Sequence, residues 1–230
     1  MTTRFDHVSI ATHKAQHQAL PLRDHLHGRP GGTHVTDAFI ATTWHFDRGI
    51  KMEFLEPNGG GEANFVRRFL SRHGEMFHHL TFKVSDLDAF LERARSIPLS
   101  MLDRSNPQWQ EVFLLPARGP ATLIQVVETG EPADAGDEAQ GCAISGVHLT
   151  PQDYDFTLAF FTECLEATLT TAGDAAALDW PGGSTIYLHR PAPGREVGIT
   201  RLTVECAMPS PPPAGAPWLD RVTLEPLRVG

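Results

Sequence analysis

The chain has 230 residues, 41% of them hydrophobic, enough for one large domain or two small ones with a substantial core. Its formal charge of −9, from 19 basic and 28 acidic side chains, argues against nucleic acid or an anionic membrane as the main partner. No stretch is apolar enough to span a bilayer, no signal-peptide core follows Met1, and three cysteines without metal-knuckle spacing imply a reduced, cytoplasmic protein.

Residues 5–11 read as a strand, followed by a helical segment over 14–26 that Pro21 weakens. Short strands follow at 38–45 and 51–55. Residues 62–73 form an amphipathic helix with Phe65, Val66, Phe69 and Leu70 on one face. The pattern then starts again. Residues 77–84 are a strand, Ser85 can cap a helix, and Leu87, Phe90, Leu91 and Ala94 make its apolar stripe. Strands at 111–115 and 122–127 close this second copy, so each copy reads β-α-β-β with room for one more strand.

The small, acidic, Pro/Gly-bearing stretch 129–141 reads as a solvated linker between domains at 1–128 and 142–230. Beyond it a third copy begins with a strand at 143–149. A helix at 154–165 is expected to bury Tyr154, Leu158, Phe161 and Leu165, and a strand at 184–190 ends the copy. A fourth copy starts at 199–205, has no helix, crosses an extended Pro-rich loop at 209–217 and finishes in 221–227. Residues 1–128 hold 14 basic and 14 acidic side chains and ten of the twelve histidines, so the negative charge belongs to the later part.

The repeat is exact in spacing at four positions. His7 and His79 lie 72 residues apart, and so do Glu53 and Gln125; within each copy the gap is 46. Two imidazoles and a carboxylate converging from separate strands suit a borderline divalent ion such as Zn, Ni, Co, Mn or Fe.

The runs Asp6-His7-Val8-Ser9-Ile10-Ala11, Met52-Glu53-Phe54-Leu55-Glu56-Pro57, His78-His79-Leu80-Thr81-Phe82-Lys83-Val84 and Leu123-Ile124-Gln125-Val126 resemble the vicinal oxygen chelate (VOC) superfamily. Within it the resemblance is closest to the methylmalonyl-CoA epimerase branch and covers roughly residues 5–128. It implies an α+β fold of tandem βαβββ modules forming a cupped mixed sheet, followed here by a degenerate second module pair. The implied metal ligands are His7, Glu53, His79 and Gln125, holding one divalent ion, with His78 packing nearby. The implied activity is removal of a proton next to a carbonyl, as in a 2-acyl-CoA epimerase. A glyoxalase I-like lyase and a non-catalytic small-molecule-binding protein are the alternatives. The implied partner is a small-molecule substrate, such as an acyl-CoA whose phosphates Arg67, Arg68 and Arg72 could meet, and a homodimer stays open.

One departure matters. The epimerases have glutamate where this chain has Gln125, which can ligate but cannot act as a base. Glu53 is then the ionisable base among the four, and Glu111 is a substitute. The same change removes the iron triad of extradiol dioxygenases. Trp44, Trp109 and Phe113 are expected to line the cup, with a place in the core as the alternative. In the later copies Gly146, Tyr187 and Arg201 fall at ligand positions, so no second metal centre is expected; His148 and His189 are left to core or surface.

Overall fold

Strict alternation of apolar and polar residues fixes the central strands of the first sheet. Strand β1 (Thr3–Ala11) runs parallel to β5 (Lys51–Pro57), with Val8 opposite Met52, Ser9 opposite Glu53 and Ile10 opposite Phe54. Strand β6 (Met76–Val84) runs parallel to β9 (Leu123–Glu128), with Leu80 opposite Ile124, Thr81 opposite Gln125 and Phe82 opposite Val126. The apolar members of both sets are fully buried. The polar pairs between them therefore face the other way.

The computed structural model describes residues 1–97, 101–105, 110–115, 119–130, 141–182, 184–207 and 218–226. Its first sheet has eight strands in the order β2-β3-β5-β1-β6-β9-β8-β7, where β2 is Arg29–Val35, β3 Phe39–His45, β7 Met101–Ser105 and β8 Gln110–Leu114. Helix α1 (Ala15–His25) follows β1 and helix α3 (Leu87–Ala94) follows β6, which makes two βαβββ modules. The strands that the periodicity did not reveal, β2 and β7, stand at the two edges. Strand β2 carries Pro30, Gly31 and Gly32, is nearly all exposed and shifts register between Pro30 and Thr33. An edge tolerates such residues because one side of the strand needs no ladder.

A second sheet contains β10 (Cys142–Thr150), β11 (Thr168–Ala172), β12 (Ala175–Asp179), β13 (Thr185–Leu188), β14 (Gly198–Cys206) and β15 (Val222–Pro226), in the order β11-β12-β13-β10-β14-β15. The two-residue strand β4 (Arg48–Gly49) pairs with β10. With helix α4 (Tyr154–Ala159), β10–β13 form a third βαβββ copy, and β14 and β15 are what is described of a fourth. After α4 the chain continues as a π-helical turn, Phe160–Cys164. Phe160, Phe161 and Leu165 are buried, while Tyr154 and Leu158, which precede the π-helical turn, are only half-buried.

The stretch 129–141 separates the two sheets, though most of it, residues 131–140, lies outside the described residues, as does the Pro-rich loop 209–217. Backbone proximity divides the chain differently. One compact unit comprises Met1–Asp6, His79–Ala135 and Ser145–Leu202; the other comprises His7–His78, Gly136–Ile144 and Thr203–Gly230. In the first unit Phe82 stacks on Phe5 and meets Trp180, each at 5.0 Å between ring centroids, and Phe161 at 5.8 Å. In the second, Val66 and Leu70 of helix α2 (Phe65–His73) pack with Ala11, Ala41 and Leu55.

Two helix starts explain differences from the sequence reading. Asp86, not Ser85, caps α3 by accepting from Ala89 N, while Ser85 Oγ accepts from Thr2 N. Helix α1 has no side-chain cap at Lys14; Glu56 accepts from Ala15 N and Glu75 from His13 N and the Gln18 amide. Helix α2 is held by Asn64, whose Oδ1 accepts from Val66 N and Arg67 N and whose Nδ2 donates to Ala38 O. Asn64→Ala removes both functions, and should lower stability by about 1–3 kcal/mol in a urea titration.

The cysteines correct an expectation. Cys142 opens β10 and Cys206 closes β14, with Cα atoms 4.1 Å apart and a disulfide between them, so they are not a reduced pair. Cys164 is free and buried; burial, then Glu163, push its thiol up to about 11, which makes it a poor nucleophile. Among the described residues no helix is long and apolar enough to cross a membrane.

Candidate metal centre

Pleating sends His7, Ser9 and Glu53 to one face of β1 and β5, and His79, Thr81 and Gln125 to one face of β6 and β9. Ligand atoms of His7, Glu53 and His79 all lie within 4.8 Å of one another. Two ligands about 2.1 Å from a shared ion stand about 3–4 Å apart, and His7 Nε2 is 3.7 Å from Glu53 Oε1. Two imidazoles and one carboxylate thus fit a borderline divalent ion by donor type and by spacing.

The 72-residue repeat extends beyond the ligands. Ser9 Oγ donates to Glu53 Oε1 at 2.7 Å, and Thr81 Oγ1 donates to Gln125 Oε1 at the same 2.7 Å, with 44 residues between the partners in each case. A hydroxyl two residues after each histidine therefore orients the fourth-strand side chain in both modules. Sequence reasoning passed over Ser9 and Thr81, although their own 72-residue spacing was the signal.

Gln125 is fixed at both ends of its amide, because Nε2 also donates to Glu111 Oε2 at 2.7 Å. Glu111, on β8, is buried. Phe113 lies directly opposite Gln125 and shares this face, half-buried. Trp44 does not. It pairs with Met52, while its neighbour Thr43 pairs with Glu53, so the indole occupies the apolar face and reaches the space beside Gly28 and Leu22. Its expected role in lining the cup is corrected to a core role. Trp109 lies outside the described residues.

His78 points away from its neighbour His79, as alternation requires, and sits between Phe65 and Phe69 with ring centroids 6.0 and 4.6 Å away. Burial, with a smaller push from His73, lowers its imidazole to about 4. Because the unfolded chain binds this proton near 6.5 and the folded one only near 4, stability is present above 6.5 and lost as the pH falls toward 4. The expected loss is on the order of 2–3 kcal/mol. His78→Phe should flatten that acid limb, as read from urea midpoints at several pH values.

These strands, pairings and ligand positions define a protein of the vicinal oxygen chelate class. The chain belongs to the glyoxalase-like domain family, whose model matches residues 5–165. No curated protein matches it in sequence. Among solved structures, a hypothetical protein from Staphylococcus aureus is 13% identical, with a TM-score of 0.69 over 99% of this chain and 100% of that one. A mutant 4-hydroxymandelate synthase from Streptomyces coelicolor is 16% identical, with a TM-score of 0.63 over 89% of this chain and 71% of that one. Methylmalonyl-CoA epimerase from Mycobacterium tuberculosis is 23% identical over 55% of this chain and 88% of its own, with a TM-score of 0.49. Such identities speak to the fold alone.

Proposed function

We propose that the chain is a divalent-metal-dependent enzyme that removes a proton next to a carbonyl, acting as a 2-acyl-CoA epimerase. The observation that carries the reading is the convergence of His7, Glu53 and His79 within 4.8 Å. The epimerase-like runs around those residues support the choice of reaction.

His7, Glu53 and His79 would hold the ion, with the Gln125 amide oxygen as fourth ligand. Such an ion, when bound, supplies Lewis-acid stabilisation of charge developing on a carbonyl oxygen. The Ser9 hydroxyl holds the Glu53 carboxylate in place for this task. Glu111 is the base: it is a buried carboxylate, and the Gln125 amide orients it through Nε2. Epimerisation needs two proton-transferring groups, and Glu53 is the second carboxylate of the site-facing strands. Phe113 beside Gln125 supplies apolar surface that excludes water from the reacting carbon. Arg67 and Arg72, exposed on α2, offer positive charge to the phosphates of a CoA thioester.

The test combines metal analysis with two substrates. The expected result is one divalent ion per chain and solvent deuterium entering C2 of methylmalonyl-CoA. Turnover of methylglyoxal hemithioacetal without such exchange would move the reading to a lyase. A protein that takes up no divalent ion after growth in supplemented medium would overturn the metal-enzyme reading altogether.

A further inference from the structure

The second sheet repeats the register of the first with side chains of the opposite preference. Ser9 lies opposite Glu53 in β1 and β5, and His148 lies opposite Tyr187 in β10 and β13. Tyr187 thus takes the place of the ligand Glu53, and Arg201 takes that of His79 when Arg201-Leu202-Thr203 is set on His79-Leu80-Thr81. The first sheet offers lone pairs to a cation. The second offers donors. We propose that His148, His189 and Arg201 form a binding site for an oxyanion, the phosphate or carboxylate group of a small molecule.

The geometry is that of a prearranged group. His148 is 8% exposed, and its ring lies nearly parallel to that of Tyr187, at 4.8 Å and 21°, and to that of His189, at 5.2 Å and 15°. Thr200 Oγ1 donates to its carbonyl. Arg201 Nη2 stands 3.1 Å from His148 Nδ1 and 3.2 Å from Nε2, and His189 Nε2 stands 2.9 Å from His148 Nδ1. Arginine can only donate, so the His148 ring nitrogen that accepts from Arg201 is the unprotonated one, and the neutral ring carries its proton on the other.

Burial, then Arg201 and His189, push the His148 imidazole down to about 4, so near neutral pH it does not repel the guanidinium. A guanidinium carries five N–H donors, and the hydrogen bonds described for Arg201 use one terminal nitrogen. Arg201 is exposed and contacts no carboxylate among the described residues. Around His189 the fields of Arg195 and Arg201 oppose that of Asp174. A planar cation held against the His148 imidazole, which in turn meets His189, with its fork engaged by no carboxylate among the described residues, is an arrangement suited to bidentate recognition of an oxyanion.

The test is independent of the metal centre. Orthophosphate and acetate are titrated separately into full-length protein labelled with ¹⁵N-histidine, ionic strength being held with chloride. Saturable shifts of His148 and His189, assigned with His189→Gln, are expected with at least one anion, and the tighter arm tells phosphate from carboxylate. Arg201→Gln should weaken binding by at least about tenfold. Arg201→Lys, which keeps the charge, should retain saturation, so the loss reads as lost recognition and not lost fold. His7→Ala should titrate as the wild type does, which separates this site from an anion held at the metal. No saturable shift with either anion, or wild-type affinity in Arg201→Gln, overturns the proposal.

Discussion

His79→Ala is expected to leave the purified protein without its divalent ion. His79 is buried on β6 and brings one of three ligand atoms that lie within 4.8 Å of one another. Alanine opens that coordination position without supplying a donor. The remaining imidazole and carboxylate, even with the Gln125 amide, form a weaker set for any borderline metal. Loss of an orienting partner outside the ligand set commonly weakens metal binding about 10–100-fold, so loss of a ligand should exceed about 100-fold. Ser9→Ala supplies the comparison, because it removes the hydroxyl that donates to Glu53 Oε1 at 2.7 Å while leaving every ligand in place. Elemental analysis after dialysis should then rank wild type, Ser9→Ala and His79→Ala in falling metal content. His78→Phe should hold its ion like the wild type, since that ring packs against Phe65 and Phe69. A full complement of metal in His79→Ala would remove this group from consideration.

Period-two alternation made the site strands legible, and equal spacing made their duplication legible. Residues 72 apart fall at equivalent register positions, Ser9 opposite Glu53 and Thr81 opposite Gln125, so arithmetic on the chain carried directly into three dimensions. The same logic could not reach β2, because Pro30, Gly31 and Gly32 carry no alternation and an exposed edge demands none. Trp44 was placed on the wrong face because hydrophobic character alone does not reveal strand parity; Thr43 opposite Glu53 settles it. The disulfide joins residues 64 apart on β10 and β14, a relation set by sheet order and invisible in a cysteine count. Helix α1 was read as weak because Pro21 falls inside it, and the partners of its N-terminus, Glu56 and Glu75, come from distant parts of the chain where sequence pattern does not reach.

Glu111→Gln is expected to reduce turnover by about 10²–10⁴-fold, the usual contribution of a positioned base, while leaving the metal content unchanged. The substitution preserves shape. Gln125 Nε2, which donates to Glu111 Oε2 at 2.7 Å, can still donate to an amide oxygen at position 111. The fold is therefore held, and the loss reports on the proton-accepting group. Gln125→Glu perturbs the pair in the opposite sense, setting two carboxylates against each other where one donor and one acceptor now meet. One of the two must then take up a proton or move away, with its pKa raised. Joining the changes as Glu111→Gln with Gln125→Glu restores one amide and one carboxylate, and Thr81 Oγ1 can still donate to residue 125. The double variant should thus be more stable than Gln125→Glu alone, a coupling that urea midpoints of the four proteins measure. Activity separates the roles further. If Glu111 is the base, the double variant stays slow despite its repaired hydrogen bonds, because the carboxylate has moved from β8 to β9. If Glu111 only orients Gln125, turnover returns with the hydrogen bond, and the base must be sought at Glu53.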